Sequence, residues 1–178
     1  MPRVRRDTRA EIAEVALELF GRQGYERTSL REIADRLEIT KAALYYHFPS
    51  KLDVLRSLMR PYVDDVEAWL AQAEGEDGLD RREMVSGFFD LSVRHRQLLQ
   101  ALIADAGAME VLDVVDQLLT WRGRLNVLLV GSDPSPAETA AAVVAVGGLQ
   151  DCAMLLPDPA ADEHREPALQ AAFRALGW

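Results

Sequence analysis

An all-α fold follows from three observations on the sequence. No stretch alternates polar with apolar residues, the β-branched residues do not cluster, and the helix formers Ala, Leu, Glu and Arg dominate. Start and stop signals divide the chain into about nine helices, arranged as an N-terminal three-helix domain over residues 1–50 and a helical bundle over residues 51–178. There is no internal repeat. With 178 residues, 49% of them hydrophobic and 28% charged, the chain has the profile of a globular protein with a real core.

The first helix is expected over about Thr8 to Arg22, because Ile12, Val15, Ala16, Leu19 and Phe20 form one apolar stripe and Gly21 and Gly24 follow as terminators. Ser29-Leu30-Arg31-Glu32 reads as a capping box, with Glu32 reaching back to the Ser29 amide. It opens a short helix that turns Leu30, Ile33, Ala34 and Leu37 inward. After a tight break at Glu38-Ile39, Thr40 caps a second short helix, Lys41 to Phe48, ended by Pro49. Ser50 caps a longer helix to about Glu74, which Pro61 is expected to kink or break.

Beyond a loop at Gly75–Gly78, Asp80-Arg81-Arg82-Glu83 is another capping box, opening a helix with Val85, Phe88, Phe89 and Leu91 inside. Arg96 to about Ala106 follows, with Leu98, Leu99, Leu102 and Ile103 inward, then Met109 to Val130 with Val111, Leu112, Val115, Leu118, Leu119, Leu125 and Leu128 inward. Ser135-Pro136-Ala137-Glu138 combines a cap, a first-turn proline and a box glutamate, opening a helix to about Leu156. The last helix is expected from about Glu166 to Leu176.

Charge is unevenly placed. Residues 1–60 carry twelve Lys and Arg against nine Asp and Glu, net +3, whereas the remainder carries eight against twenty, net −12. A basic end on an acidic body orients a molecule on a polyanion. The single cysteine, Cys152, excludes an intramolecular disulfide and a thiolate metal site. No apolar run approaches the roughly 20 residues of a membrane-spanning helix, and the basic N-terminus lacks the apolar segment of a signal peptide, so a cytoplasmic protein without membrane partners is expected. There is no Gly-rich phosphate loop, no paired His or Cys metal spacing and no nucleophile elbow, which leaves no candidate catalytic residue, metal site or cofactor. The run Asp162-Glu163-His164-Arg165-Glu166 reads as solvated charge at a helix start.

Two short helices joined by a three- to four-residue turn have the geometry of a helix-turn-helix, in which the first braces the second and the second enters a major groove about 12 Å wide. Thr40 and Lys41 stand at the leading edge, Ala42 and Ala43 let the backbone approach, and Tyr45, Tyr46 and His47 reach phosphates or sugars. Lys51 begins the next helix where its amides and ammonium can hold a phosphate. Leu44 and Phe48 read as core. Arg3, Arg5 and Arg6 are either a minor-groove arm or a solvated tail.

From Thr8 to Leu58 the chain resembles the DNA-binding domain of the TetR family of bacterial regulators. Phe20-Gly21-Arg22-Gln23-Gly24-Tyr25, Thr28-Ser29-Leu30-Arg31-Glu32-Ile33-Ala34 and the Leu-Tyr-Tyr-His-Phe-x-x-Lys stretch from Leu44 to Lys51 carry the likeness. The resemblance implies that Lys41 and Ala42 face bases and that Thr28, Ser29, Arg31, Thr40, Tyr45, Tyr46, His47 and Lys51 contact or support the DNA backbone. One departure is Glu38, which occupies a turn position that commonly holds Gly because it tends toward positive φ.

The resemblance further implies a homodimer paired through the last two helices, around 136–156 and 166–176, on palindromic operator DNA, with a small-molecule effector bound in the body. Ala140 to Gly148, almost free of charge, fits a buried helix of that kind. Trp69, Phe88, Phe89, Leu102, Met109 and Trp121 are candidate pocket residues, with Arg94, Arg122 and Arg124 as the few basic neighbours, so an apolar or cationic effector is favoured over a polyanion. The kinked helix at Pro61 is the expected lever between pocket and reading head. A ligand-responsive repressor is the function implied; the alternative is a helical ligand-binding protein without DNA binding.

Overall fold

The computed structural model describes residues 7–75, 78, 80–105, 107–108, 112 and 115–178. Arg3, Arg5, Arg6, Ala106, Met109 and Val111, named above, lie outside them. The described residues form nine helices and no strand: α1 (Thr8–Gln23), α2 (Leu30–Arg36), α3 (Lys41–His47), α4 (Lys51–Glu74), α5 (Arg81–Arg94), α6 (Arg96–Ala104), α7 (Val115–Val130), α8 (Pro136–Leu155) and α9 (Asp162–Leu176).

The start signals act as the chemistry requires. Ser29, Thr40, Asp80 and Ser135 each accept a hydrogen bond from a first-turn amide, and each such cap contributes about 1 kcal/mol by satisfying a donor that has no helical partner. The boxes of α5 and α8 are reciprocal, Glu83 and Glu138 accepting from the cap amides at 3.2 and 2.8 Å. That of α2 is not. Glu32 turns away from Ser29 and accepts from the Gln23 side-chain amide at 2.9 and 3.0 Å, because a tie to α1 is within reach.

Two compact units divide the chain by packing rather than at residue 50: residues 1–63 with 97–115, and residues 64–96 with 116–178. The division falls within α4, which runs unbroken from Lys51 to Glu74. Pro61 interrupts one backbone hydrogen bond, to the Ser57 carbonyl, and does not end the helix. In the first unit Ile12, Ala16, Leu19 and Phe20 of α1, Ile33 and Ala34 of α2, and Leu44 and Phe48 are buried, and α2 packs on both α1 and α3. Leu98, Leu99 and Leu102 of α6 are buried as expected, whereas Ile103 points outward.

In the second unit α8 packs on α9 and α5. Its core joins Met84, Val85 and Phe89 of α5, Leu125 and Leu129 of α7, Ala145, Val146, Leu149 and Ala153 of α8, and Leu169, Ala172 and Phe173 of α9. The inward stripe of α7 is Trp121, Leu125 and Leu129, at i, i+4 and i+8. Val115 and Leu119 were expected on it, yet both are exposed. α9 begins four residues before its expected start. Asp162 and Glu163 in the first turn suit the positive end of the helix, and Pro167 costs only the bond to the Glu163 carbonyl. Nor is Arg165 simply solvated, since its guanidinium forks onto the Asp90 carboxylate with both N–O distances 2.9 Å.

By length and hydropathy alone, α8 is long and apolar enough to cross a bilayer, contrary to the reading that no apolar run approaches that length. Reading the segment as a helix explains the difference, for the charges at Glu138 and Asp151 stand near its ends and leave the middle apolar. Its inner face nonetheless belongs to the core described above.

Candidate nucleic-acid interface

The turn between α2 and α3 is closed by backbone bonds from the amides of Leu37, Glu38 and Ile39 to the carbonyls of Ile33, Asp35 and Ala34, at 3.2, 3.2 and 3.0 Å. Closing it this tightly puts Glu38 at φ 54°, the only non-Gly residue with positive φ among the described residues. The Cβ penalty there is about 1 kcal/mol, so Glu38→Gly is expected to raise stability by about 0.5–1 kcal/mol in urea melts, the flexibility of glycine in the unfolded chain taking back part of the relief. An unchanged or lowered midpoint would show that Glu38 makes a compensating contact.

With α3 anchored by buried Leu44 and Phe48, the opposite face presents Lys41, Ala42, Tyr45 and Tyr46, at i, i+1, i+4 and i+5. Tyr45 is 50% exposed and Tyr46 86%, a large aromatic surface; Tyr46 meets the His47 ring edge-on at 5.3 Å. Lys41 is exposed with no ion-pair partner among the described residues. Thr40 holds the leading edge by accepting from the Ala43 amide at 3.1 Å, and Ser29 does the same for α2 by accepting from Glu32 at 3.1 Å. Arg31 is exposed and pairs loosely with Asp35 at 3.6 Å.

Two of the residues expected to contact or support the DNA backbone face inward, as supports. Thr28 is 2% exposed; its hydroxyl donates to the Gly24 carbonyl at 2.8 Å and accepts from Gln23 at 3.3 Å. The Lys51 ammonium donates to the carbonyls of Tyr25 at 2.9 Å and Glu26 at 3.3 Å, and sits 4.1 Å from the centre of the Tyr25 ring. Both hold the α1–α2 loop, and so they set where α2 and α3 stand.

Sequence reasoning passed over three further supports, none of which has a local signal. Arg9 donates to the His47 carbonyl at 2.9 Å and lies over the Phe48 ring at 4.3 Å, tying α1 to the end of α3. Arg36 pairs with Glu18 at 3.0 Å. Asp105 accepts from the Glu26 amide at 3.0 Å, and the amides around it hold its carboxyl below the usual carboxylate range.

The pocket candidates are scattered. Trp69 and Phe88 meet with ring centres 6.0 Å apart and flank the core of the second unit, whereas Phe89 is wholly buried within it. Trp121 is buried and its indole N–H donates to Glu67. Leu102 belongs to the first unit. Arg94 and Arg124 of the basic candidates are matched by carboxylates. Arg94 pairs with Asp65 at 3.1 Å, and Arg124 holds Glu67 and Glu74 at 2.8 Å each. A hollow of about 430 Å³ in the first unit, lined by Glu14, Leu17, Glu18, Gly21, Gln97 and Gln100, includes none of the candidates. No cluster of His, Cys, Asp and Glu suited to a metal occurs among the described residues.

Comparison with known proteins places this geometry. Residues 12–58 match the family model described as bacterial regulatory proteins, tetR family. The chain is 26% identical over 147 residues to the HTH-type transcriptional repressor KstR of Rhodococcus jostii, covering 79% of this chain and 68% of that protein. It spans little more than a third of the length of the first curated relatives it matches, with 37% and 35% covered. Among solved structures, a TetR-family transcriptional regulator from Bordetella parapertussis superposes with a TM-score of 0.70 at 22% identity, over 96% of this chain and 95% of that one. A SmeT–triclosan complex does so with a TM-score of 0.61 at 19% identity, over 94% and 90%. These relatives are named as transcriptional regulators rather than enzymes.

Proposed function

From the premise that this chain belongs to the tetR family of bacterial regulators, we propose that it is a cytoplasmic, ligand-responsive repressor that binds palindromic operator DNA as a homodimer. The observation that carries the DNA reading is the outer face of α3. Lys41 and Ala42 are presented to base edges, with Tyr45, Tyr46 and His47 beside them for phosphate and sugar and Thr40, Ser29 and Arg31 at the rim. The alternative of a ligand-binding protein without DNA binding has no observation in its favour.

A second copy is the partner the body supports. Ala140, Val143, Val144 and Gly148 form an exposed apolar patch along α8, continued past the exposed Asp151 by Leu155; Val144 is 64% exposed and Leu155 76%. Nothing stands above Gly148, so another helix can approach closely there. The outer face of α9, with Glu163, Glu166, Gln170 and Arg174, supplies a polar flank. An isologous pairing of this kind sets two reading heads on half-sites one DNA turn, about 34–36 Å, apart.

For the effector, the body offers Trp69 and Phe88 beside a core whose cations Arg94 and Arg124 are already neutralised, which favours an apolar or cationic molecule over a polyanion. The family neighbour in complex with triclosan binds a small organic molecule. Such a ligand acts by its differential affinity for two head separations, with α4, continuous through Pro61, as the lever.

The test is a gel-retardation assay on duplexes that the wild-type chain selects from a random pool. Lys41→Ala with Tyr45→Ala is expected to abolish retardation while sedimentation still shows the wild-type assembly. Retained binding would remove α3 as the reading helix.

A further inference from the structure

The hollow of about 430 Å³ lies within the first unit, and none of its lining residues is assigned to DNA, to pairing or to the effector. Glu14, Leu17, Glu18 and Gly21 line it from one face of α1, at i, i+3, i+4 and i+7, and Gln97 and Gln100 line it from α6, one turn apart. Nothing in the chain itself asks for glycine at residue 21. α1 runs on to Gln23, so Gly21 does not end it, and its φ is not positive. A Cβ there would meet nothing within 4 Å, and glycine weakens a helix interior. What the missing side chain does is leave that part of the hollow open. The two carboxylates differ in their commitments. Glu18 is shared by Arg36 at 3.0 Å and Arg22 at 3.6 Å, whereas Glu14, exposed one turn away, has no ion-pair partner among the described residues. Leu17, half-buried between them, is the apolar part of the lining.

We propose that this hollow is a binding site for a small organic cation, an amine or amidine carried on an apolar body. The site goes beyond the regulator reading and does not depend on it. Glu14 takes the charge, because a carboxylate accepts charge-assisted hydrogen bonds from an ammonium or amidinium group. The apolar body lies along Leu17 and over the bare backbone of Gly21, and the carboxamides of Gln97 and Gln100 serve polar groups of either sense. The volume falls within the range of small-molecule sites. An anion is disfavoured, since both acidic groups of the lining repel it. A polycation is disfavoured too, since Arg36 and Arg22 already offset Glu18 and leave one carboxylate to be matched. With a single exposed ion pair and little apolar surface to cover, dissociation constants in the millimolar range are expected.

The test is a titration of the full chain with phenethylamine, followed through the backbone amide signals of Gly21 and Gln100 by NMR. Both are expected to shift and saturate, and neither to respond to phenylpropionate, which has the same ring and the opposite charge. Glu14→Gln keeps the size of the side chain and removes its charge, and it should weaken binding about three-fold or more. Phenylethanol, the uncharged counterpart of the amine, should bind the wild-type chain more weakly by a similar factor. Gly21→Leu fills the hollow and should weaken binding about ten-fold or more. The same substitution should raise the melting temperature of the free chain by about 2–4 °C, because leucine is the better helix former, so that lost binding is not lost folding. Should Gly21→Leu melt lower instead, Glu14→Gln, on the exposed face, decides alone. An unmoved Gly21 signal, equal binding of phenylpropionate or phenylethanol, or wild-type affinity in Glu14→Gln overturns the site. Shifts that spread over the acidic residues of the chain without saturating at Gly21 report general attraction to a net charge of −9, and they overturn it as well.

Discussion

Val144→Glu is expected to turn the dimer into a monomer and to weaken operator binding about 100-fold or more. On a two-fold axis the substitution acts twice, setting two carboxylates against an apolar patch that contains no basic residue to receive them. Leaving a buried charge unpaired costs several kcal/mol, and each 1.4 kcal/mol is about ten-fold in the pairing constant. Losing the pair also loses the avidity of two linked heads, worth about 10²–10⁴ in affinity. Because Val144 is exposed in the single chain, the monomer's own fold should be untouched. Sedimentation and gel retardation on the same preparation check both halves. A dimeric Val144→Glu chain would show that α8 does not form the interface.

Phe89→Ala is expected to cost about 3–5 kcal/mol of stability, a large fraction of the roughly 5–15 kcal/mol that folded domains possess. Its ring is wholly buried among α5, α7, α8 and α9, so truncation leaves a cavity that neighbours from four helices cannot jointly fill. The experiment also separates two readings of one residue. A side chain lining a ligand pocket borders empty space in the free protein, and removing it costs far less. A denaturant midpoint shifted by under about 1 kcal/mol would return Phe89 to the pocket wall. Tyr46→Ala serves as the contrast: at 86% exposure it should stay within about 0.5 kcal/mol of wild type.

What the sequence made legible is what depends on neighbours in the chain. The caps at Ser29, Thr40, Asp80 and Ser135, the inward positions of α1 and α3 and the positive φ at Glu38 all follow from spacings of a few residues, and they stand where the pattern puts them. The failures share the opposite character. Glu32 was assigned to its own cap because nothing local announces Gln23 as a competing donor. Lys51 reads as a free cation until Tyr25 folds beneath it. Val115 and Leu119 are apolar enough to be core, and only the packing of Trp121, Leu125 and Leu129 decides which face of α7 turns inward. The last helix was expected only from about Glu166, whereas α9 starts at Asp162 and carries Pro167 in its second turn. Pocket candidates were the least legible, since an aromatic at helical spacing looks the same whether it packs on its own core or on a guest.

The inward commitment of the head's cations has a further consequence, for thermodynamics rather than geometry. Arg36 and Arg22 both pair with Glu18, at 3.0 and 3.6 Å, while Lys51 and Arg9 keep their charge but turn their donors to the carbonyls of Tyr25 and His47. A cation that already satisfies an internal acceptor displaces few condensed counterions from a duplex, so it adds little to the entropy that drives most protein–DNA association. With Lys41 the free charge on the outer face of α3, affinity leans on tyrosine hydroxyls, capped helix ends and the fit of a rigid head. The described part of the head should accordingly give operator binding a salt dependence shallower than its number of basic residues would suggest.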